Sequence, residues 1–339
     1  MRSVVHEEYG EPSDVLDVRN FPDLQLPGPG EVLIRVSARP VHPGDLAGVR
    51  GRYAGGQRLV APATPGLEGM GTIQALGSVL AAKADLAVGG RVAFFPAPGA
   101  WADQVVVPAQ FVVPVPDGVP DGVASQLLVK PITAAMLLRA AERAGLGDGD
   151  GVLLHTAAGS GVGRLLTALA QSRGYASVSV VRSAAGAAAL QQKLDVPVVS
   201  TDEADWVARV REAVGVRRVQ VICDPIGGAM SRQLTELLAD GGSLLTYGGL
   251  AEGESMALDA MTLTSRGLTV RGVTIGRWLT DTPAAVREQD IAQALQLALE
   301  RPELFSVAVQ YDLAEVKEAV RHMERPGKAG TVILTSSQA

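Results

Sequence analysis

Residues 151–175 read GVLLHTAAGSGVGRLLTALAQSRGY, and the reading of this stretch decides the fold. VLLHT is a short apolar run with strand character, AAGSGVG is small and tight, and RLLTALAQSRG carries apolar residues at helical spacing. A strand, a glycine turn and a helix in that order form a dinucleotide-binding turn, in which the helix N-terminus faces phosphate. The glycines are out of register, because Gly159, Gly161 and Gly163 give G-x-G-x-G. With Gly163 as the third position of the G-x-G-x-x-G fingerprint, Ala158 and Ser160 fill the first two. Two other readings stand beside this one. Ser160 could be a nucleophile on a strained elbow, but G-x-S-x-G is required there, and Ala158 and Val162 occupy the flanking positions. That reading also leaves only His322 as a base in the chain order serine, acid, histidine. Alternatively, the turn is a buried strand-to-helix connection with no ligand.

The discriminating position lies about 20 residues beyond the turn, where an acid selects NAD by bonding the ribose 2′-hydroxyl. Here the second strand ends SVSVVRSAAG, which puts Arg182 and Ser183 at that position. Arginine pairs with a 2′-phosphate and serine adds a hydrogen bond, so the pattern points to NADPH. Ser160 then reads as a hydrogen-bonding group on the phosphate side of a helix N-terminus.

Outward from the turn, apolar runs alternate with helical ones: SVSVVR, AAGAAALQQKL, VPVVS, ADWVARVREAVG, VQVICD, AMSRQLTELLADG, SLLTYGG and LTVRGVTI. Strands that are apolar on both faces, separated by helices, predict a parallel sheet covered on both sides. Residues 1–120 instead carry short strand-like runs between Gly and Pro turns, including EVLIRVSARP and ADQVVVPAQFVVPVP. The texture changes near Asp121, where an Ala/Leu-rich helical stretch begins. Two later helical stretches and the strand GTVILT do not extend the alternation and are expected to rejoin the first domain. The predicted organisation is an α/β chain with a β-rich domain, 1–127 and 271–339, and a doubly wound Rossmann domain, 128–270.

Hydrophobic residues make up 47% and charged ones 19% of the 339, enough apolar material for a substantial core. The net charge of -6 and the lack of a basic run exclude nucleic acid as the main partner. MRSVVHEEYGEP lacks the charged and apolar regions of a leader, and no 18-residue apolar stretch occurs, so a soluble, cytoplasmic protein with no membrane partner is expected. One cysteine, Cys223, and four scattered histidines predict no disulfide and no metal site. Cys223 and His155 fall inside strands and are expected in the core, as is Trp101. Asp45 is expected to cap the turn after it.

Taken together, the chain resembles the zinc-free branch of the medium-chain dehydrogenase/reductase superfamily over nearly all its length. PVHPGD at 40–45 and PGLEG at 65–69 stand where zinc-dependent relatives carry ligands, and the four-cysteine lobe is missing. Within that branch it is most similar to 2-enoyl thioester reductases, with quinone oxidoreductases next. HPGDLAGVRGRY resembles the stretch that ends in the catalytic tyrosine, here Tyr53. KPITA resembles a turn beside the cofactor, giving Thr133, and GSGVG resembles the phosphate turn, giving Gly159, Ser160, Gly161, Val162 and Gly163. VVRS matches the NADPH-binding strand end, Arg182 and Ser183, and TYGGLA a conserved loop. Tyr247 and Gly248 in that loop stand at a strand's carboxyl end, where backbone would meet the cofactor. RGVTIGRWL resembles the segment carrying a pocket tryptophan, Trp278, which could equally be a packed side chain. PGKAGTVIL resembles the superfamily's Gly-Lys strand, giving Lys328. His42 and Lys130 replace asparagines of the family at positions that would contact cofactor or substrate.

The resemblance implies a GroES-like catalytic domain joined to the Rossmann domain, no metal, and a homodimer paired through the edge LTVRGVTI. It implies NADPH-dependent reduction of an activated carbon-carbon double bond, with a 2-enoyl thioester as substrate and a place in fatty-acid metabolism. A tyrosine is protonated at neutral pH, so Tyr53 would assist protonation. The alternatives are a quinone or enone reductase and, outside enzymes, an NADPH-binding sensor or structural protein. A hydrolase built on Ser160 is more distant.

Overall fold

The computed structural model of the chain describes residues 1–52, 62–80 and 85–336. It divides into two compact units, Met1–Val129 with Ala292–Ala339, and Lys130–Ile291. The first unit opens with a two-stranded antiparallel ribbon, β1 (Arg2–Val5) and β2 (Asp17–Asn20). Five more strands follow: β3 (Glu31–Pro40), β4 (Gly69–Leu76), β5 (Arg91–Phe94), β6 (Gln104–Pro108) and β7 (Val112–Pro114). Alternation along β3 turns Val32, Ile34 and Val36 to one face, where they pack with Ile73, Phe94 and Val107. Trp101 is fully buried in a second cluster with Val4, Leu46 and Leu334.

The second unit holds β8 (Gly151–His155), β9 (Ser177–Val181), β10 (Val198–Ser200), β11 (Arg218–Asp224), β12 (Ser243–Thr246) and β13 (Thr269–Gly272). Among the described residues they form one sheet in the order β10-β9-β8-β11-β12-β13, every pair parallel. The order reverses direction between β8 and β11. In such sheets ligands bind beyond the carboxyl ends of the strands at that point. The strands are nearly all apolar because helices cover both faces; Val152, Leu154, Val178, Val180 and Ile222 share a core cluster with Trp206 and Leu234.

After the helix Ala284–Glu300 come β14 (Val307–Asp312) and β15 (Thr331–Thr335). β15 pairs antiparallel with β3, and β14 pairs parallel with β15. The described residues thus give the first unit a seven-stranded sheet ordered β14-β15-β3-β4-β5-β7, with β6 also on β3. The return of GTVILT to the first domain is therefore observed. β14 carries a short alternation, Val307, Val309 and Tyr311 against Ala308, Gln310 and Asp312, and nearly all its residues are half-buried rather than buried.

The unit boundary differs from the sequence expectation over 271–291, which groups with the second unit rather than the first. The physical ties are local. β13 is bonded to β12, and Asp290 receives both the indole N–H of Trp278 at 2.8 Å and the guanidinium of Arg139. Among the described residues, no helix is long and apolar enough to cross a membrane.

Candidate functional site

At the end of β8 the chain turns tightly. Ala157 takes φ 49°, a left-handed conformation rare for a residue with a side chain, and Ser160 N donates to its carbonyl at 2.9 Å. Ser160 then caps the helix Gly161–Ser172, its Oγ accepting from Gly163 N at 3.1 Å. A Cβ on Gly163 would lie 2.6 Å from the Ala158 carbonyl oxygen and 2.7 Å from that of Ala157. Only glycine lets helix and strand approach so closely, which is the third role in the fingerprint. A Cβ on Gly159, by contrast, would touch only Val181 Cγ1 at 3.9 Å.

Gly159 and Ser160 are exposed, and the N–H groups of Gly161 and Val162 meet no acceptor among the described residues. Lys130, buried at 8% exposure, lies across this end: its Nζ would be 3.4 Å from a Cβ on Gly161. An ammonium held against the positive end of a helix is unfavourable by itself. The helix start and the ammonium are both positive, and an anion between them would be attracted by each. Thr133, one turn further along the helix Val129–Arg143, is also buried.

The carboxyl ends of β11 and β12 adjoin this turn. Asp224 is fully buried and accepts from Thr156 Oγ1, from Ile226 N at 3.2 Å and from Gly227 N at 2.8 Å. The loops after the two strands are joined by Leu250 N to Pro225 O at 3.0 Å and Ala251 N to Ile226 O at 2.9 Å. Tyr247 N donates to Asp224 O at 3.1 Å, and Gly248 is exposed. The Tyr247 hydroxyl oxygen is enclosed and makes no hydrogen bond of acceptable geometry. Burial pushes its pKa up, as do Cys223 and Asp224 beside it, while Ser160 tempers the rise. An enclosed phenol with only Ser160 near it has room for a further hydrogen bond.

At the end of β9, Arg182 is exposed and has no ion-pair partner among the described residues. Ser183 caps the helix Ala184–Gln191, accepting from Gly186 N at 3.2 Å. Cys223 and His155 lie in the core as expected; burial pushes the Cys223 thiol up and the His155 imidazole down to about 4.

The other expected residues divide differently. In the first unit His42 Nε2 is 2.7 Å from Glu68 Oε2, while Glu68 Oε1 accepts from Leu128 N at 2.7 Å and Val129 N at 2.8 Å. Asp45 accepts from His42 N at 2.9 Å, reaching back to the residue before its own helix Pro43–Val49 rather than capping the turn after it, and burial raises its pKa to about 6. Lys328 donates from Nζ to the Gly330 carbonyl at 3.2 Å in the same unit. Trp278 is buried at 3% exposure on Asp290, which favours its reading as a packed side chain. Tyr53 lies outside the described residues.

Glu68, Asp202 and Asp224 were not singled out from the sequence. An acid closing the strand run VQVICD marks Asp224. Glu68, in PGLEG, has no such signal, because its partners come from residues far along the chain.

The Alcohol dehydrogenase GroES-like domain family matches residues 28–117, and the Zinc-binding dehydrogenase family matches residues 161–300. The chain belongs to the medium-chain dehydrogenase/reductase superfamily. It is similar to the mitochondrial enoyl-[acyl-carrier-protein] reductase of Caenorhabditis elegans, 28% identical, covering 82% of this chain and 79% of that one. Among solved structures it is similar to a Bacillus thuringiensis protein assigned as an NADPH:quinone reductase, with TM-score 0.87, 28% identity and 99% of both chains covered. A mycobacterial protein solved with NADPH gives TM-score 0.83 and 29% identity over 99% of this chain and 100% of that one. Zinc, which one family description carries, does not fit the residues here. Cys223 is buried in β11, His42 is turned onto Glu68, and no group of three candidate ligands occurs among the described residues.

Proposed function

We propose that this chain is an NADPH-dependent reductase of activated carbon-carbon double bonds, with a 2-enoyl thioester as substrate. The observation that carries the cofactor assignment is the open helix start at Gly161 and Val162, faced by Lys130. The residues present fit a dinucleotide: the two amides and Lys130 would hold its pyrophosphate, and the enclosed Tyr247 phenol beside Ser160 would donate to it. Arg182, with Ser183 beside it, would hold the 2′-phosphate. Thr133, Gly159, Gly163 and Gly248 would leave backbone within reach of the same ligand, and His42 and Lys328 are carried as further candidate cofactor contacts on the family resemblance alone. The similarity to the mycobacterial protein solved with NADPH supports the same reading. When bound, this cofactor supplies a hydride.

The chain must then steady the enolate oxygen and deliver a proton to the α carbon. Tyr53 is our candidate for that proton, as a phenol protonated at neutral pH. The enoyl reductase relatives favour the thioester, and the substrate class implies a place in fatty-acid metabolism. The quinone reductase neighbour supports a second reading with the same cofactor. We also propose pairing of two copies through β13, an edge of the described sheet whose unpaired side would otherwise be open to association.

Steady-state turnover of NADPH with crotonyl-CoA and with 1,4-naphthoquinone tests this reading. Faster turnover of the thioester is expected, and Tyr53→Phe should lower kcat roughly a hundredfold with little change in the KM for NADPH. Turnover of the quinone alone would move the assignment to the second reading. Unchanged kcat in the variant would remove Tyr53 from the chemistry.

A further inference from the structure

Beside Arg182 stands a carboxylate that the cofactor reading does not use. β10 runs parallel to β9 with Ser200 opposite Val181, and Thr201 N donates to Val181 O at 2.9 Å. The residue after Thr201 is therefore brought next to the Arg182–Ser183 strand end. That residue is Asp202, whose Oδ2 accepts from Ala184 N at 3.0 Å and whose Oδ1 accepts from Ser200 Oγ. The first amide of the helix Ala184–Gln191, a natural ligand for phosphate, is already taken by this exposed carboxylate. Arg182 does not neutralise it, since the two form no ion pair.

We propose that Asp202 is a specificity-determining residue that narrows the preference for NADPH over NADH set by Arg182. The inference rests on the reading of Arg182 and Ser183 as the 2′-phosphate site. A 2′-phosphate entering there meets a fixed negative charge as well as the guanidinium. A 2′-hydroxyl meets an acceptor of the kind that selects NAD in related turns. The adenosine end thus combines a cation suited to one cofactor with an acid suited to the other, and NADH is a usable second cofactor.

Dissociation constants of NADP⁺ and NAD⁺ for the full chain, measured by titration calorimetry, test the proposal. Asp202→Asn keeps an acceptor for Ala184 N and removes the charge; Asp202→Ser provides a second, smaller replacement. Both should tighten NADP⁺ on the order of fivefold, by loss of one like charge a few ångströms from the phosphate, and leave NAD⁺ unchanged or weaker. An NADP⁺ to NAD⁺ affinity ratio within about twofold of wild type in both variants overturns the role of Asp202. Arg182→Ala reports on the parent reading separately. Loss of NADP⁺ affinity in it upholds the 2′-phosphate site, and an unaltered affinity ratio overturns that site and this inference together.

Discussion

Two turns of the second unit are built alike and left in opposite states. Ser160 and Ser183 each follow a parallel strand, and each accepts from the amide three residues on, at 3.1 and 3.2 Å. At the first turn the amides of Gly161 and Val162 are open and a lysine lies across them. At the second, Asp202 already occupies the first amide. The difference does not come from the turns themselves. It comes from what neighbouring elements bring: Lys130 from the helix Val129–Arg143 in one case, and the end of β10 in the other. A helix start becomes an anion site when the fold keeps acids away from it and brings a cation to it.

The comparison breaks most sharply at Gly163. Gly163→Ala forces a Cβ to within 2.6 Å of backbone, so strand and helix must separate. A loss of about 3 kcal/mol in chemical denaturation is expected, together with loss of NADP⁺ binding. Gly159→Ala, with only one contact at 3.9 Å, should change stability by roughly 0.5 kcal/mol or less. Equal effects at the two glycines would contradict the close-packing role of Gly163.

A smaller effect separates the two turns by pH. Beneath the first, His155 Nε2 lies 2.9 Å from Thr167 Oγ1 and 3.0 Å from Ser179 Oγ, and burial lowers its pKa to about 4. Because the folded value lies below the ordinary 6.5, its contribution is complete above pH 6.5 and is lost as pH falls toward 4. At the second turn the Ser200 hydroxyl and Ala184 amide lower the pKa of Asp202, so its contribution disappears only below the ordinary aspartate value of 3.8. The fall in unfolding free energy between pH 6.5 and 4.5 should therefore be about 2 kcal/mol larger in wild type than in His155→Asn, the buried Asp45 contributing equally to both. Parallel slopes in the two proteins would show that His155 does not titrate in this way.

Much of this comparison is legible in the sequence. The run VLLHTAAGSGVGRLL fixes a strand, a turn and a helix by composition and period alone, and Gly163 emerges as the packing glycine despite the irregular spacing. Arg182 is found by counting from the turn. Asp202 and Glu68 are not, because their importance lies in neighbours supplied by sheet order and by residues distant along the chain. Trp278 illustrates the same limit: its tie to Asp290 and Arg139 draws 271–291 into the second unit, although the strand-helix alternation has already ended.

The most direct test of the account follows the backbone amides of Gly161, Val162 and Ala184 by heteronuclear NMR as NADP⁺ is added to the full chain. The account predicts that Gly161 and Val162 show the larger displacements at saturation, as open donors gaining phosphate oxygens, while Ala184 N–H, already bonded to Asp202, moves less. Gly161 and Val162 resonances that stay in place while NADP⁺ binds would contradict it.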